Sequence, residues 1–296
     1  MFAYNEGLNL PRKNAGALRS EISQRNTARA AKWVAEVSYG SLPSIIYGEN
    51  EAGEHGNFLR ASYRRILRNP DWKARLAKVY TGSRWIPRSG DRTRRELDCA
   101  NSSDALLMNI FCYPAVLRRA SVCARLAIEP GLRPVFGFRP AIPLHNGAHD
   151  RSEVDLKLGA LLIEAKLTEG DFQTARQDLV LRYRDLEKIF DVGRLPKARE
   201  KFRSCQLIRG ALAAHTHSAS FAVLCDERRP DLIDDCFEMI AAVNHAELRC
   251  RMSVLTWQEL AVALPANVKL FLAEKYGIGN IPHRQGRSGA PGRLYS

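Results

Sequence analysis

The sequence predicts an α/β fold, with a mixed central sheet flanked by helices and a helical basic segment ahead of it. Three observations lead to that class. Helical periodicity dominates up to about residue 126, short apolar runs bounded by turn residues begin at Leu132, and from there such runs alternate with helical stretches. With 296 residues, 45% hydrophobic and 26% charged, the chain is long enough for one large domain or two small ones with a proper core.

In order along the chain, a helix is expected near Ala17–Ala35, followed by the turn-rich Tyr39-Gly-Ser-Leu-Pro43. From Phe58 the pattern firms: Leu59, Tyr63, Ile66 and Leu67 share one helical face, while Arg60, Arg64 and Arg68 recur at every fourth residue on another. Asn69-Pro70 breaks that helix, and Asp71 is placed to cap a second one that buries Trp72, Leu76 and Val79. A Gly/Arg/Pro-rich connector covers 82–95. Ser102-Ser-Asp104 then starts a strongly apolar helix to Cys112, ended or kinked by Pro114, and a short helix follows near 115–126.

The strands are expected at 132–138, 153–158, 161–167, 221–225 and 251–255. Helices are expected at 172–190, 201–214, 232–246, 257–264 and 266–276. The segment from Gly277 to Ser296 has basic residues, glycines and prolines but no acids, and reads as a flexible basic tail. No internal repeat is found.

Composition narrows the function. The seven cysteines are odd in number, scattered and mostly set among apolar neighbours, and no pair has the C-x₂₋₄-C spacing of a zinc site, so reduced buried thiols are expected. The Met1 end lacks a basic start and an apolar core, and no run is long enough to span a bilayer, so the expectation is cytoplasmic with no membrane partner. A net charge of +13 favours a polyanionic partner. Between Arg60 and Arg95 twelve basic residues face two acids, Asp71 and Asp91, a local net charge of +10. Such a run can be a solvated helix face, or a surface that holds phosphates. Arg60, Arg64, Arg68, Lys73, Arg94 and Arg95 are the candidates for the second role.

The chemistry concentrates in Glu153-Val-Asp-Leu-Lys-Leu-Gly-Ala-Leu-Leu-Ile-Glu-Ala-Lys166. A hairpin turning at Leu158-Gly159 pairs residues whose numbers sum to 317, setting Asp155 against Leu162 and Glu153 against Glu164. Because side chains alternate along a strand, Asp155, Glu164 and Lys166 project from one sheet face and Leu156, Ile163 and Ala165, with Val154, from the other. Two close carboxylates repel each other unless a cation neutralises them, and hard oxygen ligands suit Mg²⁺, with Mn²⁺ as a substitute. A divalent ion there would polarise a phosphoryl oxygen, and Lys166 could orient the attacking water. The competing account is an ordinary edge hairpin with a surface Glu–Lys pair. Against it, the apolar neighbours mark a buried strand, where unpaired charges are costly.

These residues resemble the PD-(D/E)XK nuclease superfamily, with Asp155 at its first acid, Glu164 at its second and Lys166 at its lysine. The order of expected elements also fits that core, while Val154 stands where the superfamily usually has proline. Through His55-Gly-Asn-Phe-Leu59, Asn69-Pro-Asp-Trp72 and Asn101-Ser-Ser-Asp-Ala-Leu-Leu-Met-Asn109, the chain is also similar to a bacterial group of restriction-endonuclease-like proteins over about residues 50–276. The resemblance implies a restriction-endonuclease-like core, a Mg²⁺-dependent endonuclease activity and a nucleic-acid substrate, DNA before RNA. A non-cleaving nucleic-acid binder on the same fold is the alternative. Residues 101–276 would be the nuclease-like domain, residues 1–100 the basic helical segment packed on it, and 277–296 the tail.

The superfamily often adds an acid from its first core helix, and Asp104, Glu96 or Asp98 could serve here. Asp104 could equally be a helix-start residue accepting backbone N–H bonds. Gln206 could reach the site or face solvent. The pairs His145/His149 and His215/His217 are expected in solvated loops. A homodimer is one arrangement by which both strands of a duplex would be cut.

Overall fold

The computed structural model describes residues 15–38, 43–79 and 95–279. Its first part comprises α1 (Ala15–Ala30), the small hairpin β1 (Ala35–Val37) and β2 (Ile45–Tyr47), α2 (Arg60–Arg68), α3 (Pro70–Arg75), α4 (Ser103–Phe111) and α5 (Ala120–Leu126). Then come β3 (Val135–Phe138), the pair β4 (Ile142–Pro143) and β5 (His149–Asp150), and the central hairpin β6 (Val154–Leu158) and β7 (Leu161–Ala165). Next are β8 (Ala175–Arg176), α6 (Gln177–Val180), α7 (Leu186–Ile189), β9 (Lys197–Ala198), β10 (Lys201–Phe202) and α8 (Cys205–Thr216). The chain closes through β11 (Ser220–Cys225), α9 (Pro230–Ala241), α10 (Ala246–Cys250), β12 (Met252–Thr256), α11 (Trp257–Ala263) and α12 (Ala266–Tyr276).

The central sheet has five strands in the order β12-β11-β7-β6-β3, antiparallel from β3 to β7 and parallel from β7 to β12. This is the α/β class with a mixed sheet that the sequence predicts. Parallel neighbours need a crossover, and α8 and α9 supply the two crossovers on one face. There Leu207, Ile208, Ala211 and Leu212 of α8 and Cys236 and Met239 of α9 pack on Leu162, Phe221 and Val223. On the other face, Leu106, Leu107 and Ile110 of α4, with residues of α5, α11 and α12, cover Leu156, Leu158, Ile163 and Ala165. The parity rule therefore holds over most of the hairpin; Val154, at the start of β6, instead joins the cluster on the α8 face.

The hairpin register differs from the expectation. The pairs are Leu156–Ile163, Lys157–Leu162 and Leu158–Leu161, a sum of 319, so the turn is the two residues Gly159-Ala160. Gly159 adopts φ +57°, a conformation disfavoured for residues with a Cβ, and Leu132 lies where a Cβ would contact it at 3.1 Å. Since the shift is two residues, the face assignment survives while the partners change: Asp155, not Glu153, comes opposite Glu164.

Other expectations need correction. The helix expected over 172–190 is two single turns, α6 and α7, beside a small three-stranded sheet, β8-β10-β9. Val180, Tyr183, Leu186 and Ile189 recur at steps of three and dock separately into the core rather than forming one 3.6-residue stripe. Asn69, not Asp71, caps α3, its side chain accepting from the backbone N–H groups of Asp71 and Trp72. Trp72 is buried as expected, but Val79 is 51% exposed. Most of the 82–95 connector and of the basic tail lies outside the described residues.

Candidate catalytic centre

Glu164 and Lys166 sit two residues apart at the end of β7, both nearly sequestered, with Lys166 Nζ donating to Glu164 Oε1 at 2.7 Å. The backbone fixes the lysine from both sides: its N–H donates to Leu224 O on β11, and its carbonyl accepts from the indole N–H of Trp257 at 2.8 Å. Burial alone would lower the lysine's pKa, but Glu164, Glu169 and Asp155 outweigh it and hold the ammonium above its ordinary value. Gln206, near the start of α8, donates its Nε2 to the same Glu164 Oε1 at 2.7 Å, and its own Oε1 is buried without a partner. The glutamine thus faces the centre rather than solvent.

Asp155 accepts the Ala165 N–H on Oδ2 at 2.8 Å. Its pKa is pushed well above its ordinary value, first by burial and then by repulsion from Glu164 and Asp104, with Lys166 opposing. Two carboxylate oxygens, Asp155 Oδ1 and Glu164 Oε2, carry no hydrogen bond among the described residues.

Asp104 lies in the first turn of α4, only 2% exposed, while the cap itself is Ser102, whose side chain accepts from Ala105 N. The aspartate side chain bonds to basic residues of the preceding segment rather than to the helix start. Its Oδ2 accepts from Arg75 at 2.9 Å and from Lys78 at 2.6 Å, and Lys78 also reaches Glu96 at 3.1 Å. Burial and the Asp104 charge raise the pKa of Glu96. Asp98 turns elsewhere and pairs with His55 at 3.2 Å. Next to the lysine, Glu169 accepts from Ser103 Oγ and Leu167 N, both at 2.6 Å. The loop that carries it is clamped by the fully buried Arg229, which donates to the carbonyls of Glu169 and Gly170.

Arg75 and Lys78 were legible only as members of a basic run. Arg75 crosses the sheet edge at Gly137, which has φ +63° and lies between the paired residues Phe136 and Phe138 of β3. A Cβ there would stand 2.1 Å from Arg75 Nη1. The guanidinium bridges Asp104 and Glu153, with Nη1 to Glu153 Oε2 at 2.6 Å. An isolated glycine between two phenylalanines of a strand was the available signal, since such a residue marks close approach by another group.

The proposed arginine stripe stays apart from this cluster. Arg60 pairs with Glu54 at 2.7 Å and, with Arg64, edges a cavity near Phe271. Arg68 edges a second cavity with Trp72, Lys73 is exposed, Arg95 bridges to Val79, and Arg94 lies outside the described residues. Of the histidines, His215 is in the last turn of α8 rather than a loop, its ring edge-on to His245, and His217 caps that helix and contacts Pro140 O.

A five-stranded mixed sheet between helical layers, with two acids and a lysine at the end of its central hairpin, defines a nuclease-like protein of restriction-endonuclease-like fold. The chain belongs to the family described as "Restriction Endonuclease associating with ARP", whose sequence model matches residues 24–277. No curated protein and no solved structure matches it. Among the described residues no helix is long and apolar enough to cross a membrane.

Proposed function

We propose that the protein is a Mg²⁺-dependent nuclease that hydrolyses phosphodiester bonds in DNA, with Mn²⁺ able to substitute. The observation that carries this reading is the pair of unbonded oxygens, Asp155 Oδ1 and Glu164 Oε2, on adjacent strands beside Lys166. No group of three or more His, Cys, Asp or Glu side chains arranged for a metal occurs among the described residues. Mg²⁺ does not require one, since it keeps several waters and takes one or two protein carboxylates. The raised pKa of Asp155 and the orphaned Oε1 of Gln206 fit the same conclusion, because each is a cost that a cation with its water shell would relieve. The bound ion would polarise the phosphoryl oxygen and favour deprotonation of water. Asp155 and Glu164 would hold it, Gln206 Oε1 would accept a hydrogen bond from the water, and Lys166 would orient that water and offset charge on the phosphate.

A second reading, a nuclease fold that binds nucleic acid without cutting it, draws on the Arg75 and Lys78 contacts, which already neutralise Asp104. Plasmid and linear DNA incubated with protein and Mg²⁺ separate the two. Cutting by wild type, abolished in Asp155→Ala and Lys166→Ala with binding retained, supports the first reading. Equal cutting by the variants would overturn the site assignment, and binding with no metal-dependent turnover would establish the second reading.

A further inference from the structure

Beside Trp72, the C-terminal end of α4, the turn Val116–Arg118 and the loop into β3 enclose a cleft of about 320 Å³. Arg65, Arg118 and Arg133 are among its walls, and Arg68 edges an adjoining cavity that shares Arg65, Trp72 and Arg133. No acidic side chain lines either space among the described residues. Asp71 meets Arg133 at 3.2 Å with both side chains mostly exposed, an arrangement of little strength in water. The side chains of Arg68 and Arg118 make no hydrogen bond or ion pair among the described residues.

The floor, by contrast, is rigid. Trp72 Nε1 donates to Pro134 O at 3.1 Å. The Arg65 guanidinium lies 5.5 Å from the Trp72 ring centre and donates to the carbonyls of Cys112 and Tyr113 at 3.3 and 3.2 Å. A fixed, planar cation covers an aromatic ring, with the unpaired Arg68 and Arg118 and the weakly paired Arg133 around it. Guanidinium planes stack on bases, and free arginines hold phosphates. The volume lies at the small end of ligand sites, the scale of one nucleotide.

We infer that this cleft is a second nucleic-acid subsite that holds one nucleotide unit, its phosphate on Arg68, Arg118 and Arg133 and its base against Arg65. The inference deepens the nuclease reading and rests on its nucleic-acid substrate, though not on cleavage. Position supports it: Pro134 at the cleft and Gly137, which lies against the Arg75 that bridges Asp104 and Glu153, are three residues apart along the extended chain into β3, roughly 10 Å at strand rise. A strand rising about 3.4 Å per nucleotide covers that distance in about three nucleotides. The cleft would then hold the strand a few nucleotides from the bond that is cut.

The test measures binding in EDTA, so that cleavage plays no part. Anisotropy of a labelled 16-nucleotide single strand and its duplex is followed across a salt series, with a deoxymononucleotide as competitor. The triple variant Arg68→Ala/Arg118→Ala/Arg133→Ala is compared with the charge-matched Arg194→Ala/Arg249→Ala/Lys269→Ala, after thermal melting confirms that both fold. The cleft variant is expected to bind at least tenfold more weakly, with a log–log salt slope shallower by about 2 to 3, since each phosphate contact contributes about 0.7 to 0.9. The control should bind like wild type. Competition by the mononucleotide, lost in the cleft variant, marks a free nucleotide as a source of the ligand; no competition assigns the site to a strand alone. Equal loss in both triples, or loss in neither, overturns the cleft. A cleft variant that binds and cuts DNA like wild type overturns the inference and leaves the nuclease reading intact.

Discussion

Gly137→Ala tests whether the N-terminal basic segment contributes a built part of the centre. Two costs follow from the structure. The first is conformational: at φ +63° an alanine costs about 1–2 kcal/mol relative to glycine. The second is contact: the new methyl would stand 2.1 Å from Arg75 Nη1. A free arginine would swing away at little cost, but this one is tied to Asp104 at 2.9 Å and Glu153 at 2.6 Å, with side-chain exposures of 10% for Arg75 and 3% for Asp104. Breaking a buried pair by removing one partner costs about 3–5 kcal/mol, and Lys78 remains on Asp104, so the low end applies. The expected loss is therefore about 4–5 kcal/mol in urea unfolding. In an Arg75→Ala background the same change should cost only the conformational 1–2 kcal/mol, a coupling of about 3 kcal/mol. Additivity within about 0.5 kcal/mol would show that the guanidinium does not lie over Gly137, and would refute the reasoning.

Three further outcomes are expected. Lys166→Met should abolish metal-dependent cutting while DNA binding in EDTA stays within about twofold; it should also destabilise the protein by a few kcal/mol, because Glu164 is left buried with only Gln206 on it. Asp155→Asn should change the pH dependence of stability: the folded-state pKa is raised, so in wild type the contribution is present at low pH and is lost as pH rises through the folded value, and the variant's urea midpoint should lack that fall. Lys275→Met concerns a lysine with no exposure that contacts both oxygens of Asn57 and the Tyr276 hydroxyl, and whose pKa burial lowers well below the usual value. Because the unfolded chain takes up that proton first, wild-type stability should rise with pH between the folded and unfolded values, by about 1.4 kcal/mol per pH unit, and the variant should be flat there.

Hairpin parity was legible because a strand's period of two survives any even slip. The two-residue difference between expected and observed register changes the partner of Asp155 from Leu162 to Glu164 without changing its face. The helix expected over 172–190 fails for a related reason: apolar residues at steps of three satisfy a helical template loosely, and only docking against β10 and α8 shows that the chain turns twice. Gln206 was ambiguous because a polar residue near a helix start gives no sign of what stands opposite it.

What the sequence by itself determined is local: which residues alternate along β6 and β7, and hence that two acids and a lysine share one face. Charge counting likewise marked residues 60–95 as basic. Tertiary structure alone decided which of those cations turn inward. Arg75, lying over Gly137, and Lys78 both meet Asp104, while Arg60, Arg64 and Arg68 stay outside. The physical reason is that an ion pair depends on distance in space, and Arg75, Asp104 and Glu153 are joined only when the helix α3 packs on the edge of the sheet.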